Sequence, residues 1–150
     1  MEKKELPLLV EVYLSGYRNL EKYAYSSPGR VKSYLRWLWK GDPEGFLVAE
    51  NEKGILGFIS VHSEWRDWEE GRCGEIHEIV VREEFKRKGI GKSLFLAAIE
   101  YLRRRGHSKI TLWVGKENRI ARQWYRRLGF EEVYIVGEWV RMKKIIATPL

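Results

Sequence analysis

The sequence predicts one domain over residues 1–150, of mixed α/β (α+β) class, in which helices flank a central sheet. Three observations predict it. Apolar residues recur at three- and four-residue spacing in two early and two later segments, and β-branched runs bounded by glycine and polar residues lie between them. The run Ile76 to Val81 then passes into a helix through a basic, glycine-containing turn. With 150 residues, 44% of them apolar, the chain is long enough to bury a core and too apolar to be disordered.

Leu6, Leu9, Val10, Tyr13, Tyr17 and Leu20 place a helix almost at the first residue. Ser27 and Pro28 form an N-cap and first-turn pair for a second helix, whose stripe is Val31, Tyr34, Leu35 and Leu38 and whose end is Gly41. Tyr23 to Pro28 is the loop between them. Phe46 to Ala49 and Ile55 to Val61 alternate as a hairpin about the turn Asn51 to Gly54, and Gly57 permits a close approach or a bulge. Ser63 to Gly74 reads as a polar surface loop carrying Trp65 and Trp68. After the Ile76 to Val81 strand, Leu94, Ala98, Tyr101 and Leu102 mark a helix. Lys109 to Val114 is the next strand. Ile120, Ala121, Trp124, Tyr125 and Leu128 form one helical stripe, with Gly129 where a left-handed cap belongs. Phe130 to Val136 and Glu138 to Lys144 close as a hairpin.

Composition narrows the function. A net charge of +7 concentrates in Lys86 to Lys92, Arg103 to Arg105 and Arg119 to Arg127, which favours an anionic small-molecule ligand. Cys73 is the single cysteine, so no intramolecular disulfide forms. Neither a signal peptide nor a membrane-spanning run is apparent, which makes the cytoplasm the expected compartment. His62, His77 and His107 lack metal-ligand spacing, and no metal is expected.

The turn Lys86-Arg87-Lys88-Gly89-Ile90-Gly91-Lys92-Ser93 brings free backbone N–H groups, a helix N-terminus and cations together, the arrangement that holds phosphate. Side chains at Gly89 or Gly91 would block positive φ or keep a pyrophosphate off the backbone. The P-loop pattern fails because Lys86 stands at its first glycine, and the dinucleotide pattern fails at Leu94. What the stretch resembles is the (Arg or Gln)-x-x-Gly-x-(Gly or Ala) turn of the GNAT superfamily of acyl-CoA-dependent N-acetyltransferases, with Lys86 departing at the first position. Asn118 to Glu132 is similar to that family's Asn-(x)n-Tyr-x-x-Leu-Gly-Phe segment. Together the two motifs carry the resemblance over roughly Phe46 to Lys144.

The resemblance implies a mixed, mostly antiparallel sheet with splayed central strands and about four helices, the family's first strand being absent or truncated here. It implies acetyl-CoA as cofactor, held by the backbone of Ile79, Val80 and Val81, by Lys86 to Ser93 and by Asn118, for which a helix N-cap is the other reading. Tyr125 matches the family's tyrosine near the sulfur, the general acid. Glu75 lies where some members that acetylate lysine place the general base, and its strand parity matches Ile79 and Val81; Glu78 points to the other face unless a bulge shifts the register. Members that modify protein N-termini carry a glutamate where this chain has Trp113. Deprotonation separates the acceptors: at pH 7 a lysine ε-amine costs roughly 4.6 kcal/mol and an α-amine about 1.

The expected acceptor is a small-molecule or peptide amine, neutral, acidic or aromatic rather than polycationic, because the chain is itself basic. Tyr23, Tyr25, Trp37, Trp39 and Trp139 are candidate walls for it, although aromatics at helical spacing also build cores. Neither nucleic acid nor membrane is an expected partner, and a homodimer is left open. The rival readings are a catalytically silent acyl-CoA-binding domain and a basic nucleic-acid binder. Retention of Tyr125 argues against the first, and the lack of a recognition motif against the second.

Overall fold

The structure, a computed structural model, describes residues 3–146. After a 3-10 turn at Lys3–Glu5, α1 (Leu6–Gly16) and α2 (Pro28–Gly41) precede the strands β1 (Phe46–Asn51), β2 (Gly54–Asp67) and β3 (Gly71–Val81). Then follow α3 (Ile90–Arg104), β4 (Lys109–Gly115), α4 (Arg119–Arg127), β5 (Glu131–Val136) and β6 (Trp139–Ile145). The six strands form one sheet in the order β1-β2-β3-β4-β6-β5. Only β3 and β4 run parallel, as the intervening α3 crossover requires. No strand precedes β1 among the described residues.

Local chemistry explains the helix ends. The Ser27 hydroxyl accepts the Arg30 N–H at 3.3 Å, capping α2 as its sequence predicts. At the end of α4 the Gly129 and Phe130 amides return to Arg126 and Tyr125, with Gly129 at φ 97°. Two cores result, one on each face of the sheet. Leu94, Phe95, Ala98, Leu102, Tyr125 and Phe130 from the α3/α4 side cover Ile59, Val61 and Ile76. On the other side Leu9, Tyr13, Leu35 and Leu38 from α1 and α2 cover Phe46, Phe58 and Val80.

Two expectations need correction. Ser63 to Gly74 is not a loop: β2 runs on to Asp67 and β3 begins at Gly71, so only Trp68 to Glu70 turn. The polar character that reads as loop is one exposed edge, where Arg72 holds Glu64 through Nε at 3.0 Å and Nη2 at 2.9 Å. On α4, Ile120 is exposed, and the buried stripe is carried by Trp124, Tyr125 and Leu128 with Ala121.

Two irregularities in the sheet prepare the site. Strand β3 pairs with β4 only at Gly74, Glu75 and Ile76, and beyond Ile76 the strands part. Against β2, Ser60 pairs with Glu78 but Val61 with Ile76, so His77 is an extra residue in β3, a β-bulge. Gly57 permits the close approach its sequence predicts, since a Cβ there would lie 2.6 Å from the Val80 carbonyl oxygen.

Candidate active site

The bulge moves Glu75 off the face of Ile79 and Val81, while Glu78 stays opposite them as its sequence parity predicts. Had β3 been regular, Glu75 would share the face of Ile79 and Val81; the added residue reverses that parity. Ile79 and Val81 pack toward α3 and α4, whereas Glu78 and Val80 point toward α1 and α2. Glu75 remains in the paired half of β3, buried. It accepts from Arg141 Nη1 at 2.7 Å and from the Thr111 hydroxyl. Burial pushes its pKa up against the pull of Arg141. The sequence-based parity argument for Glu75 is therefore overturned by the bulge.

Glu78 sits just past the point where β3 and β4 separate. The Tyr17 hydroxyl donates to its Oε1, and the Tyr34 hydroxyl donates to its Oε2 at 2.9 Å. Burial raises its pKa from an ordinary 4.5 to about 7 although both phenols favour the charged form. A carboxyl that titrates near neutrality can both hold and release a proton at physiological pH.

Tyr125 approaches from α4. Its ring packs on Phe130, with centroids 5.6 Å apart, and on Trp124 at 5.2 Å. Burial first, then the negative charge of Glu78, raises its pKa well above the ordinary tyrosine value, and no hydrogen bond from a described residue offsets either effect. The phenol stays protonated at neutral pH and can only donate a proton when a stronger base appears beside it.

Between β3 and α3 the chain makes the expected turn. Arg87 and Gly89 both adopt the left-handed region, with φ 64° and 83°, which curls successive N–H groups into one concavity at the start of α3. The first intrahelical bond runs from Ser93 N–H to the Gly89 carbonyl at 3.0 Å, so the amides of Ile90, Gly91 and Lys92 precede it. Arg87, Lys88, Lys92 and Ser93 are exposed. Lys86 is committed elsewhere: its ammonium donates to the Gly16 carbonyl at 2.6 Å and pairs with Glu83 at 3.0 Å, tying the turn to α1.

Asn118 is the N-cap of α4, accepting the Ala121 amide at 3.3 Å through Oδ1; its side-chain NH₂ remains to donate. These parts fit an acyl-CoA: a concave array of amides for its diphosphate, an open strand edge along Ile79 to Val81 for its pantetheine amides, and a buried, protonated phenol near enough to Glu78 to sense its charge.

The aromatics divide. Tyr25, Tyr34 and Trp37 line a cleft of about 880 Å³ with Ser27, Gly29, Arg30 and Ser33. Tyr23 instead covers Gly115, Trp39 packs into the α1/α2 core, and Trp139 lies exposed at the end of β6. Tyr17 and Tyr34, whose hydroxyls donate to Glu78, are the site residues that sequence reasoning did not single out. Periodicity placed their rings on helix faces; the only signal of a site was the hydroxyl at the tip of each.

The turn offers a direct check. Gly91→Asp adds a carboxylate at the second position of α3, where the helix dipole favours it by about 0.3–1 kcal/mol. Its Cβ meets nothing nearer than Trp124 at 3.4 Å. Calorimetry with CoA is expected to show affinity lost by at least tenfold, while the melting temperature holds or rises.

The comparisons agree with this geometry. Residues 10–130 match the family model described as the acetyltransferase (GNAT) family. An uncharacterised N-acetyltransferase of Methanocaldococcus jannaschii is 41% identical over 145 residues, which are 96% of this chain and 64% of that protein. The chain thus spans less than two thirds of that relative's length. A solved structure from Pyrococcus horikoshii superposes with a TM-score of 0.88 at 38% identity, covering 98% of this chain and 94% of that one. The PaiA N-acetyltransferase of Thermoplasma acidophilum, solved with coenzyme A, shares the fold at a TM-score of 0.76 and 20% identity, over 97% and 96% of the two chains. On the match of residues 10–130 to that family's model, the chain belongs to the acetyltransferase (GNAT) family.

Proposed function

We propose that this protein is an N-acetyltransferase that moves an acetyl group from acetyl-CoA to a primary amine by direct attack, with Glu78 as the base and Tyr125 as the general acid. The observation that carries this reading is the pairing of two groups: a carboxyl near neutrality just past the parting of β3 and β4, and a buried, protonated phenol that senses its charge. Family membership and the coenzyme A bound by the Thermoplasma acidophilum PaiA protein support the choice of acyl donor.

Bound acetyl-CoA would supply the thioester carbonyl and the leaving thiolate. The amides of Ile90 to Lys92, with Arg87, Lys88 and Lys92 around them, would hold its phosphates, and the backbone of Ile79 to Val81 its arm. Glu78 neutralises the amine, and Tyr125 protonates the sulfur. Glu75 is given no part in proton transfer here, because it lies in the paired half of β3, bound in a buried ion pair with Arg141. The acceptor enters from the α1/α2 side, where Tyr25, Tyr34 and Trp37 suit an aromatic or neutral amine better than a polyamine.

The test is a CoA-release screen over small amines, peptides with free N-termini and spermine at matched ionic strength. Release with a neutral or aromatic-flanked amine is expected; if CoA binds but no amine releases it, the chain is a binding domain and the enzyme reading falls. In the same assay Tyr125→Phe keeps the ring and removes the proton. Its kcat is expected to fall by on the order of 10²–10⁴ with CoA affinity nearly unchanged, and a full kcat would return Tyr125 to the core.

A further inference from the structure

We infer that Tyr34 is the group through which the acceptor amine passes its proton to Glu78, and that Tyr17 is the positioning residue that holds the carboxylate for this transfer. The inference rests on the acetyltransferase reading above. Both oxygens of the buried Glu78 carboxylate accept phenolic protons, Oε1 from Tyr17 and Oε2 from Tyr34. The two phenols differ in what lies behind them. Tyr34 lines the cleft together with Tyr25 and Trp37, whereas neither Tyr17 nor Glu78 borders it. Tyr17 is packed instead on the Tyr13 ring, with centroids 4.7 Å apart. An amine in the cleft therefore meets Tyr34 before it meets any carboxylate.

A phenol that donates its proton still offers two lone pairs on the oxygen. The Tyr34 oxygen also lies 3.4 Å from the carbonyl of His77, the bulged residue, a second and more distant acceptor for its one proton. An ammonium N–H directed at this oxygen completes a chain from nitrogen to Tyr34 oxygen to Glu78 Oε2. Transfer along it is concerted: the N–H bond breaks as an O–H bond forms on Tyr34, and the original Tyr34 proton moves to Glu78. Burial and the Glu78 charge hold the Tyr34 phenol protonated, so no phenolate accumulates. The neutral nitrogen then attacks the thioester carbon. The C–N bond forms, the C–S bond breaks, Tyr125 gives its proton to sulfur and is reprotonated from the nitrogen, and Glu78 releases its proton to water.

The groups that sense the Glu78 charge are Tyr13 from α1, Tyr17 at its C-cap, Tyr34 from α2 and Tyr125 from α4. His77 is its neighbour on β3, kept neutral by burial with a pKa lowered to about 4. Ser60 faces it from β2. The proton on Glu78 is thus controlled by phenols and not by a cation.

The experiment compares Tyr34→Phe, Tyr17→Phe and Glu78→Gln in the full chain. It uses the acceptor selected by the screen above and hydroxylamine as a probe that is already neutral. Tyr34→Phe is expected to lower kcat at every pH by on the order of 10²-fold with the selected amine, and by far less with hydroxylamine. Tyr17→Phe is expected to keep the high-pH plateau but move the ascending limb up by about one unit, because the carboxylate loses one charge-assisted donor. A carbon-13 titration of the glutamate carboxyls, which needs no turnover, should show the Glu78 pKa raised in both tyrosine variants. Where Tyr34→Phe fails to fold, Tyr34→3-fluorotyrosine keeps the packing, and its altered acidity should change kcat while the same replacement at Tyr17 leaves the plateau in place. Equal plateau losses in the two tyrosine variants, or a wild-type plateau in Tyr34→Phe, would overturn the relay. If Tyr34→Phe is active but Glu78→Gln is not, only the relay fails; if Glu78→Gln is fully active, the base assignment itself fails.

Discussion

Glu78→Gln is expected to lose on the order of 10²–10⁴ in kcat and, above neutral pH, to melt at a higher temperature than the parent. The two effects share one cause. Burial raises the folded-state pKa of Glu78 from 4.5 to about 7, so the fold favours the protonated carboxyl. The stability this contributes is fully present below about pH 4.5 and is lost as pH rises through about 7. Glutamine carries no charge at any pH, so the variant's advantage in melting temperature should appear across that window and vanish on its acid side. The parent's kcat/KM should rise through the same window as the base becomes free. Paired melting and rate profiles check this; a variant less stable than the parent at pH 8, or a parent rate that is flat between pH 5 and 8, would contradict it.

Much of the frame was legible because the signals that set it are local. Ser27 caps α2 through a residue three positions away, and Gly129 ends α4 by its own backbone. Gly89 turns into α3 through its own φ. Each needs only its neighbours in the sequence. That Glu75 and Glu78 share a face was not legible, because it depends on one residue of slack in β3 against β2, which only the pairing of Ser60 with Glu78 and Val61 with Ile76 reveals. For the same reason Glu75 looked eligible as the base. The Ser63 to Gly74 strands were hidden by their polarity: pairs such as Trp65 with Cys73 hold them in the sheet, and an alternating charged edge masks that pairing. Tyr17 and Tyr34 were read for their rings, since hydrophobic periodicity registers a side chain's burial and not what its hydroxyl meets 61 or 44 residues away in the sequence.

Arg141 should be the most damaging single truncation outside the two cores. Its guanidinium donates Nη1 to Glu75 Oε1 at 2.7 Å and Nη2 to Asp67 Oδ1 at 2.8 Å, and lies over the Trp113 ring at 5.0 Å. All three charged side chains are buried, with 8% exposure or less. Arg141→Leu would leave two carboxylates facing one another without a cation, and a buried pair broken on one side costs about 3–5 kcal/mol. Both carboxyls would then have folded pKa values pushed up by burial and mutual repulsion. The stability defect should therefore be largest at alkaline pH and shrink as the medium is acidified. Glu75→Gln is expected to be much milder, since its amide oxygen still accepts from Arg141, and to leave kcat per folded molecule close to that of the parent. Urea melts at several pH values, with CoA release normalised to the folded fraction, separate the two roles. If Glu75→Gln folds normally yet loses turnover as completely as Glu78→Gln, then Glu75 is the base in spite of its ion pair with Arg141.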